Sequence, residues 1–288
     1  MNNRVRYTIF SLLPIIGAFI LQGLAAMAVM VWDGVHGTDI TNATENAFYK
    51  TDLSIRAMYL YAIAGVLVFT LYYMCGCNQT RYPKMKPLFT KRTIAAIPLA
   101  GIGLQGLISG ILNMLMIWKP GILDGYNEML QNSGIGGTGW MSVVCTVILA
   151  PILEELVFRG ISIHFLRKAT FNFYVVNLLQ ALWFGIFHLN LVQGIYAFAL
   201  GLVFGYIYYK YGSVLVSILI HMVLNLSGVL LSKYGGVLME STPMLYTMSI
   251  VSLLMVFGGI LFISSDCPHV DTVGYIYDVS KKASKQSA

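Results

Sequence analysis

Two adjacent glutamates and an arginine lie in the middle of a long apolar stretch of the sequence. Glu154, Glu155 and Arg159 have mostly hydrophobic neighbours on both sides. On a helix, Glu155 and Arg159 would share one face and could neutralise each other, whereas Glu154 would point about 100° away. An ionisable group at membrane depth costs roughly 2.5–3.5 kcal/mol, so such groups rarely occur there without a function. A structural ion pair would not require the third charge, and we therefore expect a functional site.

Further polar side chains lie on two later apolar stretches. His188 follows Phe184 by four residues, and His221 precedes Asn225 by four, so each pair would share one face of a helix. A single histidine in a membrane helix is more often a hydrogen-bond partner of a neighbouring helix than a catalyst. Here two histidines, an amide, two carboxylates and a guanidinium occur on three stretches. This concentration predicts a single buried polar site.

This set of side chains is suited to hydrolysis. A buried glutamate can act as a general base toward water, and a neutral histidine can orient the same water or hold a metal ion. A histidine and an asparagine on a separate helix can donate hydrogen bonds to a developing oxyanion. The zincin motif H-E-x-x-H is absent from the sequence. Ser217, on the same stretch as His221, is the one candidate for a serine nucleophile.

The elements that must position these residues are membrane-spanning helices. Hydrophobic residues make up 57% of the 288 residues and charged residues only 10%, whereas a soluble domain carries about 25% charged residues. The apolar stretches are too long for the alternating strands of an outer-membrane barrel. The sequence therefore predicts an all-α, polytopic membrane bundle of about eight helices, at about 7–31, 55–76, 93–118, 140–166, 173–188, 192–209, 214–231 and 244–264.

The basic residues indicate how the bundle is oriented. With the N terminus inside, 13 of the 18 Lys and Arg residues lie in inner segments and four in outer ones. The positive-inside rule then places both termini in the cytoplasm. The net charge of +6 is explained by this loop pattern and does not indicate nucleic-acid binding. The lipid bilayer is the expected environment.

The chain is predicted to form one membrane domain, 1–264, followed by a flexible polar tail, 265–288. The first span is expected to stay uncleaved because it is longer than the apolar region of a signal peptide. Residues 119–138 are expected to include a short interfacial segment. The four cysteines have no metal-ligand spacing and are interpreted as free thiols: Cys75, Cys77, Cys145 and Cys267. No oligomeric state is predicted.

The depth of each candidate residue tests whether the site can assemble. Counted from the cytoplasmic helix ends at about 1.5 Å per residue, Glu154 and His188 lie roughly 20–25 Å deep and His221 about 12 Å deep. Glu154 and His188 are therefore expected at one level. His221 lies at the same depth as Glu154 and His188 only if its helix begins deeper in the membrane or is tilted.

The three polar patterns resemble those of a known family. The CPBP family of intramembrane proteases, also called ABI or type II CAAX prenyl endopeptidase-like proteins, carries E-E-x-x-x-R, F-x-x-x-H and H-x-x-x-N/D on successive transmembrane helices. This sequence has Glu154-Glu155-x-x-x-Arg159, Phe184-x-x-x-His188 and His221-x-x-x-Asn225, in the same order. The resemblance covers a catalytic core of about 138–232.

The resemblance implies an endopeptidase whose active site lies inside the membrane. Glu154 and His188 would activate the attacking water, and His221 and Asn225 would stabilise the oxyanion. The supporting residues would be Glu155, Arg159 and Phe184. The resemblance leaves the metal open: the enzyme would be either a glutamate protease without a metal or a metalloprotease with zinc held by Glu154, His188 and His221.

The resemblance also implies a class of substrate and two competing functions. Members of the family cleave prenylated CAAX proteins, process bacteriocin-like peptides or confer bacteriocin immunity, so we expect a membrane-associated peptide or protein as substrate. The expected location is the plasma membrane of a prokaryote. The first alternative is a non-proteolytic adaptor or immunity protein with the same fold. The second, a proton-coupled transporter, would be expected to show internal repeats, and the sequence has none.

Overall fold

The protein is a bundle of membrane helices. Its structure, a computed structural model, describes residues 2–37, 47–77, 88–133, 139–170, 172–235 and 241–266. Within these residues every regular element is helical and no strand occurs. The helices are α1 (Asn3–Phe10), α2 (Leu13–Val35), α3 (Ala47–Tyr72, followed by the π-helical turn Tyr73–Cys77), α4 (Lys91–Trp118), α5 (Asp124–Ser133), α6 (Trp140–Ala169), α7 (Phe173–Phe187), α8 (Leu191–Tyr211), α9 (Val214–Tyr234) and α10 (Thr242–Asp266).

The predicted fold class, an all-α polytopic membrane bundle, is confirmed. Among the described residues seven helices are long and apolar enough to cross a membrane, with α1 and α2 counted together. The expected fifth span is α7, which has only 15 residues. At about 1.5 Å per residue it is roughly 22 Å long, less than the ~30 Å of a hydrocarbon core. Of the predicted polar tail, 265–288, the residues from position 267 onward lie outside the described part of the chain.

Helix α9, which carries His221 and Asn225, is positioned by close packing against α4. A Cβ atom at Gly101 of α4 would lie 2.7 Å from Val223 and 2.9 Å from the carbonyl oxygen of Ile220. Only glycine allows the two backbones to approach this closely, as at many helix interfaces in membranes. Helix α10 packs against α4 through other glycines of the same helix, such as Gly103. Helix α4 therefore holds α9 in place.

Helices α7 and α8 form a tight hairpin with His188 at its tip. The backbones meet at Gly185 and Gly194, where a Cβ atom on Gly185 would lie 2.7 Å from the Gly194 carbonyl oxygen. The chain reverses through Leu189, whose φ of 53° is in the left-handed region, an uncommon conformation for a bulky residue. Asn190 caps α8 by accepting a hydrogen bond from the Gln193 backbone. The turn therefore fixes where α7 ends.

Helix α6 contains two π-helical segments that flank the glutamates, Cys145–Leu149 and Leu156–Ser162. In the first segment the Ala150 N–H donates to the carbonyl oxygen of Cys145, five residues back. The same pattern would pair the Thr146 carbonyl with residue 151, but this residue is Pro151, which has no N–H. The Thr146 carbonyl is thus left free to accept a hydrogen bond from another helix.

One end of the bundle carries exposed tryptophans. Trp32 at the end of α2, Trp118 at the end of α4 and Trp140 at the start of α6 are all exposed, as expected for an aromatic belt at a membrane interface. We call this the tryptophan end. The short helix α5 connects α4 to α6 at this end and packs against α3, as expected for the interfacial segment within 119–138.

Candidate functional site

The ion pair predicted from the spacing of Glu155 and Arg159 is present and fully buried. Arg159 Nη1 donates to Glu155 Oε1 at 2.8 Å, and neither side chain has any exposed surface. The guanidinium also lies over the rings of Phe184, at 4.5 Å, and Phe204, at 5.2 Å. Cation–π contacts of this kind stabilise a desolvated guanidinium. Arg159 is therefore enclosed by one carboxylate and by aromatic rings.

His221 links the two glutamates. Its Nδ1 lies 3.0 Å from Oε1 of Glu155, and its Nε2 lies 3.7 Å from Oε2 of Glu154. An ionised carboxylate can only accept, so Nδ1–H donates to Glu155. The imidazole also stacks on Phe204, with centroids 4.8 Å apart and planes at 24°. The tautomer and the orientation of the ring are thus set, and Nε2 faces Glu154.

The two neighbouring glutamates differ in accessibility. The side chain of Glu155 is completely buried, whereas that of Glu154 is 18% exposed. Glu155 uses one oxygen for Arg159 and His221 together. Glu154 is not held by a comparable pair of donors within the described residues. Of the two, Glu154 is therefore the carboxylate that a water molecule or a substrate can reach.

Asn225 is anchored to the irregular part of α6. Its amide nitrogen donates to the Thr146 carbonyl oxygen at 2.7 Å, the carbonyl that Pro151 leaves without a helical partner. One N–H of the amide is occupied by this bond and the second is free to donate elsewhere. Asn225 is one turn beyond His221 on α9. The two side chains therefore form a polar edge of α9 beside the glutamates.

His188 lies beside the site without touching the glutamates directly. Its Nδ1 is 2.8 Å from the Phe184 carbonyl oxygen, so Nδ1 carries the proton and a neutral ring presents Nε2 as an acceptor. The Phe184 ring meets the rings of both His188 and His221 edge-on, with centroids 4.9 and 6.3 Å apart. Within the described part of the chain, His188 makes no direct hydrogen bond or ion pair with Glu154. Phe184 separates and orients the two histidines.

The condition that the depth count set for His221 is met. Counting residues from the cytoplasmic ends brought His221 to the level of Glu154 only if its helix began deeper or was tilted, and the two side chains are 3.7 Å apart. Glu154 is 15 residues from the end of α6, whereas His221 is seven residues from the start of α9. At about 1.5 Å per residue, the first residue of α9 must therefore lie roughly 12 Å deeper in the membrane than the last residue of α6. The close packing of α9 on α4 fixes this offset.

The predicted zinc ligands are not gathered into one cluster. Glu154 and His221 lie close enough to share an ion, since a separation of 3.7 Å suits two ligands at about 2.0–2.2 Å each. Zinc sites in enzymes use three protein ligands. In the described residues no group of three or more His, Cys, Asp or Glu side chains is arranged so that it could hold a metal ion. The residues as arranged therefore do not fit the predicted metal site.

Some residues around the site were not singled out from the sequence. Phe204 contacts both Arg159 and His221 but lies in an apolar stretch where no local pattern marks it. The Thr146 carbonyl could have been found, because Pro151 four to five residues later removes a backbone donor. The candidate nucleophile Ser217 donates its hydroxyl to the Val214 carbonyl oxygen, at 2.9 Å, and not to a histidine.

The cysteines in the described part of the chain are free thiols, as predicted. These are Cys75, Cys77 and Cys145. Cys267 lies outside the described residues. None of the three belongs to the group of polar residues around Glu154, so the site is built without a thiol among the described residues.

Comparison with known proteins points to one family of membrane peptidases. Residues 136–227 match the model of the Rce1-like family, described as type II CAAX prenyl endopeptidase Rce1-like. The protein named "Putative membrane peptidase YdiL" of Bacillus subtilis (strain 168) is 32% identical over 85 residues, which are 30% of this chain and 34% of that protein. The match thus spans about a third of the relative. No solved structure gave a significant match.

The matched segment contains every predicted site residue, from Glu154 on α6 to Asn225 on α9. The resemblance predicted from the three motifs is therefore confirmed as a match to this family model over residues 136–227. Together with the seven candidate spans among the described residues, this indicates a multi-pass membrane protein with a segment that is similar to the Rce1-like family.

Proposed function

We propose that the protein is an intramembrane endopeptidase that hydrolyses a peptide bond of a membrane-associated substrate with water activated by Glu154. The observation that carries this proposal is the buried network in which Arg159 and Glu155 hold His221 against the partly exposed Glu154. The match of this segment to a peptidase family supports it.

The proposed reaction uses Glu154 as a general base and then as a general acid. Glu154 removes a proton from water, and the resulting hydroxide attacks the carbonyl carbon of the scissile bond. Nε2 of His188 accepts a hydrogen bond from the same water and orients it. When the tetrahedral intermediate collapses, the C–N bond breaks and Glu154 returns its proton to the amine. The products are a carboxylate and an amine, with one water consumed.

We propose that residues of α9 stabilise the oxyanion of the intermediate. Asn225 has one amide N–H left after its bond to Thr146, and this N–H can donate to the negatively charged oxygen. His221 already uses its Nδ1–H for Glu155. It can therefore donate through Nε2 only when the ring carries two protons. Because Glu154 holds the proton taken from water at this stage, the carboxylate of Glu155 would balance the charge of that form.

The substrate is proposed to be a prenylated or bacteriocin-like peptide or protein in the bilayer. The site lies among helices whose outer faces are apolar, so a substrate carried by a lipid group could reach it from the membrane. The family match, with a type II CAAX prenyl endopeptidase model, favours the prenylated class. A hydrolytic site in this environment acts on a molecule that is already membrane-bound.

A panel of peptides tests the proposed function. Purified protein in lipid nanodiscs is incubated with prenylated and unprenylated CAAX peptides and with bacteriocin-like peptides, and the products are identified by mass spectrometry. We expect one peptide class to give two fragments whose masses sum to the substrate plus one water, and the Glu154→Gln variant to give none. A protein that binds the peptides without cleaving them would be an adaptor and would contradict the proposal.

The same assay tests whether a metal takes part. We propose that the glutamate acts without zinc, and the proposal is supported by the described residues, in which no group of three or more His, Cys, Asp or Glu side chains could hold a metal ion. Dialysis against a strong chelator should then leave the rate unchanged, and metal analysis of the active protein should find less than one ion per chain. Loss of activity that added zinc restores would establish the metalloprotease instead.

A further inference from the structure

A glutamine side chain of α4 lies against the face of α9 that carries His221 and Asn225. At 100° per residue, Gly228 falls within about 60° of both residues around α9 and lies one turn beyond Asn225. A Cβ atom at Gly228 would lie 3.2 Å from Cδ of Gln105 and 3.3 Å from both its Nε2 and its Oε1. Because these distances are nearly equal, the flat face of the amide covers Gly228. The amide of Gln105 therefore extends the polar edge of α9.

The protein uses only part of the hydrogen-bonding capacity of this amide. Gln105 Nε2 donates to Oγ of Ser109, one turn further along α4, at 3.0 Å. A glutamine amide has two N–H donors and a carbonyl oxygen that accepts. Within the described residues the bond to Ser109 is the hydrogen bond that this amide makes. One N–H and the carbonyl oxygen are therefore left for a bound molecule, and the side chain is partly exposed.

A purely structural role is fulfilled by a different glutamine of the bundle. Polar side chains in membrane helices commonly join neighbouring helices by hydrogen bonds. Gln180 on α7 is of this kind, because it is fully buried and donates to the Gly201 carbonyl oxygen of α8 at 2.7 Å. Gln105 differs from Gln180 in both respects: it is partly exposed, and its bond to Ser109 stays within α4. The role that explains Gln180 does not explain Gln105.

The two groups left on Gln105 are complementary to a peptide group. An N–H and a carbonyl oxygen can pair with the C=O and the N–H of an extended peptide, as an edge strand does. Gly228 lies about 4.5 Å beyond Asn225 along the axis of α9, and an extended chain advances about 3.3 Å per residue. With the scissile carbonyl group at Asn225, Gln105 faces a peptide group one or two residues away.

We propose that Gln105 binds a peptide group of the substrate beside the scissile bond and so sets the register in which the substrate lies in the site. The ligand is an extended peptide segment that is recognised through its backbone. The proposal rests on the proposed peptidase function and adds a substrate-binding residue to it. Gln105 and Gly228 both lie outside residues 136–227, which match the family model.

The first test replaces Gln105 by methionine, which keeps the length and flexibility of the side chain but lacks both hydrogen-bonding groups. We expect kcat/KM on the cleaved peptide to fall roughly 3- to 30-fold, the range for one or two lost hydrogen bonds, chiefly through a higher KM. The matched control is Gln22→Met, the same change at an exposed glutamine of α2, which should match wild type. An unchanged KM in Gln105→Met, or an equal rise in Gln22→Met, would overturn the proposal.

Backbone-modified peptides test the contact on the wild-type protein as well. Each peptide bond near the scissile bond is replaced in turn by an ester, which removes the N–H that the carbonyl oxygen of Gln105 would accept. Wild type should show a several-fold higher KM for the ester at one position within two residues of the scissile bond. Gln105→Met should not distinguish that ester from the amide, since the two changes remove the same interaction. Equal effects of every ester on both proteins would contradict the proposed contact.

A binding measurement separates this proposal from the peptidase function. A fluorescent prenylated CAAX peptide is titrated with the protein in nanodiscs, and Kd is measured by fluorescence anisotropy in the Glu154→Gln background. We expect Gln105→Met to raise Kd several-fold and Gln22→Met to leave it unchanged. Equal Kd values with and without Gln105→Met would overturn the proposal. If wild type cleaves no peptide, the peptidase function fails, and the Kd values of wild type and Gln105→Met still decide whether Gln105 binds a peptide.

Discussion

At the scale of single residues, the contacts of the buried charges differ between the two neighbouring glutamates. Glu155 neutralises Arg159 and orients His221 through the same oxygen, whereas Glu154 faces His221 across a gap of 3.7 Å. A buried charge is tolerated when it is paired and hydrogen-bonded. Glu155 therefore pairs with Arg159 inside the bundle, whereas the side chain of Glu154 stays partly exposed.

Removing Arg159 should destabilise the protein. In Arg159→Ala the carboxylate of Glu155 stays buried without its cation, which typically costs about 3–5 kcal/mol. Thermal unfolding in detergent should show a clearly lower Tm. Arg56→Ala is the control, because Arg56 pairs with Asp33 and Asp52 at 2.7 and 2.8 Å but is 31% exposed, and exposed pairs contribute only about 0–1 kcal/mol. An Arg159→Ala variant that melts like wild type yet is inactive would assign the arginine to the chemistry.

Removing the Asn225 amide should slow the chemical step. If Asn225 donates to the oxyanion, Asn225→Ala should lower kcat by about 10²–10³-fold with little change in KM, because that bond forms only in the transition state. Steady-state kinetics on the cleaved peptide measure both constants. Asn113→Ala is the matched control for Asn225→Ala, because the Asn113 amide also donates to a backbone carbonyl oxygen, that of Ser109, at 2.8 Å. A rise in KM at constant kcat would place Asn225 in substrate binding.

At the scale of the elements, irregular helices bring the site together. Helix α6 has π-helical segments on both sides of the glutamates, and α7 stops short at His188. Single π-helical turns often occur at functional sites. The contact of Glu155 with Arg159 could be predicted because a spacing of four residues fixes it within one helix. The contact of Asn225 with Thr146 could not, because it depends on which helix packs beside α6.

Restoring a regular helix at Pro151 should damage the site without weakening the fold. In Pro151→Ala the new N–H can bond within α6, and alanine is about 3 kcal/mol more favourable than proline inside a helix. The Thr146 carbonyl then no longer depends on Asn225, and the glutamates can rotate relative to α9. We expect kcat to fall about tenfold or more while Tm stays the same or rises. The measurements are peptide cleavage and thermal unfolding on the same preparation.

The control for this change is Pro98→Ala, because Pro98 also lies inside a membrane helix, α4, but not on the helix of the glutamates. It should gain stability without losing activity. Wild-type kcat in Pro151→Ala would mean that the π-helical segment does not position the site.

At the scale of the whole molecule, the sequence predicted the spans well and left their relative depth open. Long apolar stretches mark where helices start and end, and each predicted span lies within a few residues of a helix. The vertical offset of α9 depends on glycine packing against α4, which no count along one helix reveals. The expected fifth span, α7, has only 15 residues, fewer than the ~20 that a membrane-spanning helix needs.

The orientation of the bundle remains a prediction from its basic loops. With both termini in the cytoplasm, a fluorescent protein that matures only in the cytoplasm should fluoresce when fused to either end. Alkaline phosphatase, which is active only outside, should be active when fused after Trp118 at the tryptophan end. The reverse pattern at either terminus would contradict the orientation.

Glu154 is proposed to be the base that activates water. The most direct measurement is the cleavage rate of Glu154→Gln on the peptide that wild type cleaves, with Tm measured on the same sample. Glutamine keeps the shape but cannot accept a proton, so we expect at least ~10²-fold slower cleavage with an unchanged Tm, and no loss in Glu128→Gln on the exposed face of α5. Near-normal turnover by Glu154→Gln would contradict the account.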